Sequence, residues 1–204
     1  MNIFYNAEYT GLNEDADLIS MGFVAETGQK LYIEFLDVPE YLASDYAISN
    51  VYPHTYFYSG QAVKGAEDAE EYNYSYFLTC KGHADTILMN WFKALLTNEN
   101  DRIQLISYCS HYDFCLFSNL FRGKFPANII NPMCYDLFYT VMKHNQLFNK
   151  STPLYERVAK MLSCDPENFA IEDLSLNAPG YPKQHSLYFA ELIKQIYDKL
   201  ECVE

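Results

Sequence analysis

The chain has 204 residues, half of them hydrophobic and 17% aromatic, with only 20% charged. That is enough apolar material for a sizeable core, so intrinsic disorder and a fused multidomain enzyme are both excluded and one domain is expected over 1–204. The net charge of −13 is the opposite of the basic footprint of a protein that coats long duplex nucleic acid. The charge is also uneven: residues 1–80 hold 13 acidic and 2 basic side chains, and the rest of the chain is nearly balanced.

In chain order, residues 1–5 read as a short strand followed by a loop from Asn6 to a turn at Thr10-Gly11. Ile19, Met21, Phe23 and Ala25 alternate along a second strand, and a Gly28 turn leads into a third over 31–35, so the chain is expected to open as an antiparallel meander. Residues 37–80 are rich in Tyr, Asp and Glu with little periodicity, and read as an insertion or arm. Leu88, Trp91, Phe92 and Leu95 recur at helical spacing. A strand over 103–108 follows, then a helix presenting Phe114, Phe117 and Phe121. An apolar run over 127–134 precedes a helix over 136–148. Thr152-Pro153 reads as the cap and first turn of a helix over 154–162, and the last helix runs over about 184–200. The pattern predicts an α/β fold with a mixed sheet flanked by helices.

The six cysteines show no metal or redox spacing and read as reduced thiols. No leader pattern and no stretch of 18 apolar residues is present, so the expected location is the cytoplasm, with no membrane partner.

Three places combine ionisable groups with the ends of predicted strands or a helix start, where sites on open sheets lie: Asn6 with Glu8, Asp113, and His185. Taken alone, each fits an ordinary loop or cap residue equally well.

Their order carries more. Ile3-Phe4-Tyr5-Asn6-Ala7-Glu8-Tyr9-Thr10-Gly11-Leu12, followed by Asp17-Leu18-Ile19-Ser20-Met21-Gly22, resembles the opening of the DEDD 3′-5′ exonucleases of the ribonuclease H-like superfamily, in their bacterial and phage exoribonuclease-like branch. Tyr112-Asp113-Phe114 with Leu116-Phe117 resembles that family's second motif. Cys134-Tyr135-Asp136-Leu137-Phe138 and Gln184-His185-Ser186-Leu187 resemble later ones, so the likeness spans about 3–200.

The resemblance implies a ribonuclease H-like fold. It also implies a site of four carboxylates holding two Mg²⁺ or Mn²⁺ ions, with a His as base for the attacking water. Hard oxygen ligands suit Mg²⁺, and two ions about 4 Å apart stabilise both the attacking and leaving oxygens of a phosphodiester. Carried over by residue, Glu8, Asp113 and His185 match the catalytic positions, with Glu8 and Asp113 as metal ligands. Asn6 stands where the first Asp belongs and keeps only a weak carbonyl ligand. The last Asp falls on Ala190 or, with a one-residue deletion, on Phe189. Glu191 is the nearest acid, but six residues past His185 it lies roughly 240° around the helix.

The resemblance therefore implies a metal site reduced to one weakly held ion or none, and two readings of function stay open. One is an exonuclease-like protein, catalytically weak or inactive, that binds a nucleotide, an RNA end or a protein. The other is an active metal-dependent exonuclease on short single-stranded RNA that uses Glu8, Asp113 and His185. Thr10 and the aromatic residues Tyr9, Tyr112 and Phe114 are candidate ligand contacts, the rings fitting base stacking or core packing alike. Arg122, Lys124 and Lys183 are candidate phosphate contacts, or simply solvated charges. The acidic first 80 residues suit a basic protein partner better than RNA.

Overall fold

The computed structural model describes residues 1–60, 73–98, 100–108, 110–144 and 185–201, with the side chains at 141–144, 185 and 199–201 outside that description. Its strands are β1 (Asn2–Tyr9), β2 (Leu18–Ala25), β3 (Lys30–Phe35), β4 (Tyr74–Thr79), β5 (Gln104–Ser107) and β6 (Tyr135–Asp136). Its α-helices are α1 (Lys81–Leu95), α2 (Ser110–Asn119), α3 (Leu137–His144) and α4 (His185–Glu201). The expected helix over 154–162, residues 145–148, Gln184 and Lys183 lie outside the described residues.

The strands form one sheet in the order β4-β3-β2-β1-β5-β6. β1, β2 and β3 are antiparallel neighbours, as expected of the meander. β5 and β6 continue the sheet parallel to β1, which makes the sheet mixed. Two expectations need correction. β1 does not stop at Tyr5: it pairs with β2 through Glu8 and Tyr9, because Ala7 is buried and its register continues the alternation that Asn and Glu propensity argued against. The 37–80 arm is not wholly irregular: Tyr74–Thr79 near its end form β4, an edge strand parallel to β3.

The sheet has two differently covered faces. Ile3, Tyr5, Ala7, Met21, Phe23, Leu31, Ile33 and Phe35 point to one side, where they pack with Ala84, Leu88 and Phe92 of α1 and Phe117 of α2. The rings interlock: Phe23 lies 6.0 Å from Phe92 and 6.1 Å from Phe117, in edge-on geometry. Such pairs contribute about 1 kcal/mol each beyond their burial. On the opposite face α4 packs mainly across β1 and β2. There Leu187 and Ala190 meet Val24 and Tyr32, and Phe4 sits 5.2 Å from Tyr197.

Gly22 makes that crossing possible. A Cβ at this position would stand 2.3 Å from the Leu187 nitrogen and 2.5 Å from the Ser186 carbonyl carbon. Beside it the buried Ser20 and Ser186 hydroxyls share a hydrogen bond of 3.1 Å.

Some of the N-terminal acids are engaged within the fold. Glu34 is fully buried and accepts hydrogen bonds from Tyr32 Oη at 3.0 Å and from the Tyr56 and Phe57 amides at 2.8 Å each, which fastens the first part of the arm to β3. Burial pushes its carboxyl above the usual range, while those donors oppose the shift. Asp37 accepts from the Lys81 amide at the start of α1, and Lys81 Nζ reaches Asp17 at 2.7 Å. Part of the N-terminal acidity thus holds the fold together and is not surface for a partner. Among the described residues, no helix is long and apolar enough to cross a membrane.

Candidate active-site cleft

The period of two along β1 places Asn6 and Glu8 on the α4 side of the sheet, alongside Phe4, while Ile3, Tyr5 and Ala7 face the core. β5 runs parallel to β1, and Asp113 lies in the first turn of the helix that follows it. An acid at the end of β1 and one in the helix that follows the neighbouring parallel strand β5 therefore meet at the strands' carboxyl ends, the usual position for a site on an open sheet. Between them and α4 opens a cleft of about 510 Å³, lined by Asn6, Glu8, Tyr9, Asp113 and Phe189 among others.

Asn6 Nδ2 donates to Glu8 Oε1 at 3.1 Å. Asp113 is buried, 3% exposed, and accepts a 2.6 Å hydrogen bond from Ser107 Oγ. Burial pushes its carboxyl up to about 7; the Ser107 hydrogen bond opposes this, and the charges of Glu8 and Asp136 add to it.

Asp136 is a residue whose part sequence reasoning missed. Its Oδ2 accepts from the Ser110 amide at 3.0 Å and the Ser110 hydroxyl at 2.8 Å, so it caps α2 from a neighbouring strand and fixes the turn that carries Asp113. Ser44 and Tyr46 were also missed. They belong to the 37–80 arm, yet they form part of the cleft wall because the Ser44 amide bonds the Thr10 carbonyl at 2.7 Å and folds the arm back over the end of β1. Burial, and then the Glu8 charge, raise the Tyr46 phenol above its usual range. No local periodicity marks that return; only the tertiary contact does.

α4 supplies the remaining wall through Phe189, Leu192 and Ile193. Of the two positions open to the missing Asp, Phe189 lines the cleft, while Ala190 is buried against Val24 and Tyr32. Glu191 is 8% exposed and pairs with Lys30 on β3, away from the cleft. The backbone of His185 begins α4; its side chain is outside the description.

The other expected ligand contacts do not line the cleft. Thr10 is fully buried, and its Oγ1 accepts from the Asp17 amide at 2.9 Å, closing the loop between β1 and β2. Tyr112 stands edge-on to Tyr9 at 4.8 Å and donates to the Asn13 carbonyl at 2.8 Å, holding the same loop. Phe114 packs on Phe117 and Phe125. Lys124 is exposed, and the exposed Arg122 lines a separate small pocket with Asp17 and Lys81.

No protein-family model matches the sequence, and no curated protein matches it. Among solved structures, the nuclease domain of 3′hExo, a DEDDh family member, bound to rAMP, matches with a TM-score of 0.62 at 14% identity, over 99% of this chain and 92% of that one. The chain shares the fold of that nuclease domain. On this fold, the donor set can be tested against the pair of divalent ions that the resemblance implies. Among the described residues, the carboxylates that line the cleft are those of Glu8 and Asp113; the first expected Asp position holds Asn6, and the last holds Ala190 or Phe189, neither of them an acid. Among the described residues, no three His, Cys, Asp or Glu side chains come together in a geometry that could hold a metal. These residues do not fit a pair of ions.

Proposed function

We propose that the protein binds the 3′ end of short single-stranded RNA, or a nucleotide, in an exonuclease-type cleft whose hydrolytic centre is incomplete. The observation that carries this reading is the position of Phe189, one of the two positions open to the missing metal-binding Asp, which presents an aromatic ring to the cleft. Asn6 points the same way, since it offers a hydrogen bond to Glu8 in place of a second negative charge. Tyr9, Tyr46 and Phe189 give the cleft aromatic faces, which accept any base by stacking. The rAMP held by the structural neighbour supports a ligand of this class.

A second reading has its own support. Glu8 and Asp113 share the cleft, and the upward shift at Asp113 is what a bound Mg²⁺ or Mn²⁺ ion would relieve. An active exonuclease would then work with Glu8, Asp113 and His185.

The test is incubation of the full chain with a 5′-labelled oligoribonucleotide in Mg²⁺ and in Mn²⁺, with binding followed in parallel. Binding without shortening is expected. Shortening that disappears in both Glu8→Gln and Asp113→Asn would establish the second reading in its place.

A further inference from the structure

Asp113 is a buried carboxyl group that lines the cleft without a counter-ion. It is 3% exposed and accepts from Ser107, yet among the described residues the lining of the cleft includes no Lys, Arg or His. Buried carboxylates are ordinarily paired with a cation or a metal. A pair of metal ions does not fit this donor set, so the charge left to compensate calls for another kind of cation. Glu8 adds a second carboxylate, and Tyr46 lies near enough to feel its charge. A guanidinium suits these surroundings better than an ammonium. Its planar fork bonds carboxylates two at a time, its flat face stacks on an aromatic ring, and apolar walls cover its aliphatic stem. The mouth of the cleft has the same sign as its floor. Glu14 and Asp15 follow Leu12 in the loop after β1, Asp45 lies between Ser44 and Tyr46, and all three are exposed. The one Lys or Arg in residues 1–60 is Lys30, which pairs with Glu191 away from the cleft. On α4, Lys194 beside Ile193 pairs with Asp198.

We infer that the cleft takes the guanidinium of an arginine side chain, presented by a basic polypeptide segment, with Glu8 and Asp113 meeting its charge and Tyr46 and Phe189 its face and stem. The acids at the mouth favour a polypeptide as the carrier, because its flanking basic residues meet Glu14, Asp15 and Asp45. This goes beyond the proposed function: it concerns the two carboxylates and needs no nucleotide.

Calorimetric titration of the full chain in EDTA at about pH 8, where Asp113 is ionised, tests this with three probes. They are the peptide acetyl-Lys-Leu-Arg-Leu-Lys-amide, its analogue with the neutral isostere citrulline in place of Arg, and free agmatine. The Arg peptide is expected to bind roughly tenfold tighter than the citrulline peptide, and tighter than agmatine by a margin that shrinks as salt rises. Glu8→Gln lowers affinity for the Arg peptide and leaves the citrulline peptide unchanged. Glu26→Gln, an exposed control at the other end of β1, changes neither. Equal affinity for the Arg and citrulline peptides, or equal losses in Glu8→Gln and Glu26→Gln, overturns the inference. Agmatine binding as tightly as the Arg peptide overturns the polypeptide as carrier. The proposed function is decided separately with an oligoribonucleotide. Oligoribonucleotide binding without Arg-peptide binding overturns this inference and leaves that function standing; the reverse removes that function and supports the cation site.

Discussion

Gly22 on β2 leaves no room for a side chain against Leu187 on α4: a Cβ would lie 2.3 Å from the Leu187 nitrogen and 2.4 Å from its Cα. The obstacle is backbone, which cannot rotate away as a side chain would. α4 seats through this contact, and α4 brings Phe189, Leu192 and Ile193 to the cleft. Gly22→Ala is therefore expected to cost about 3 kcal/mol of stability and to weaken ligand binding. Chemical denaturation and ligand titration on the same variant check both. A stable variant with unaltered binding would show that α4 is not seated as described.

Asp113 predicts a pH dependence of stability. Its folded carboxyl titrates at about 7 against an ordinary 3.8, so between those values the folded state holds a proton that the unfolded state has released. Its contribution is fully present below about 4 and is lost as pH rises through 7, by up to about 4 kcal/mol. Denaturant midpoints measured from pH 4 to 8 should fall with pH, and Asp113→Asn should flatten that fall. A second variant isolates one cause. Asp136→Asn keeps an acceptor for Ser110 while removing a charge that raises Asp113, so the midpoint of the fall should move to lower pH. An unmoved midpoint would exclude Asp136 as a contributor.

Glu34 ties the arm to the sheet, and its removal should be felt in the cleft. Glu34→Ala leaves the Tyr56 and Phe57 amides without their acceptor, for an expected loss of about 3 kcal/mol. The same arm carries Ser44 and Tyr46, so ligand affinity should fall more than in Tyr46→Ala alone. Hydrogen exchange would locate the loosening at residues 44–58. Protection there equal to that of the unaltered protein would disprove the link.

Much of the sheet was legible because its signals are local. Ile19, Met21, Phe23 and Ala25 alternate toward the side packed on α1 and α2, and that local pattern marks β2 although both its faces are buried. The resemblance left the missing Asp on Ala190 or Phe189, and only packing decides which of the two faces the cleft. The rest depended on distant partners. β4 went unread because Tyr74 and Tyr76 alternate with Ser75 and the exposed Phe77, so neither face is strongly apolar. Thr10 read as a ligand contact because its loop closure depends on Asp17, seven residues on. Tyr46 was invisible because an arm that folds back leaves no periodic trace.

On the proposed reading, Asn6 and Phe189 leave the cleft without the charge that a pair of ions needs. Electron paramagnetic resonance of Mn²⁺ titrated into the protein counts bound ions directly, and it can be read beside a variant carrying Asn6→Asp and Phe189→Asp. The account predicts no more than one weakly held ion in the unaltered chain and a clear gain in stoichiometry or affinity in the variant. Two tightly bound Mn²⁺ ions per unaltered chain would contradict it.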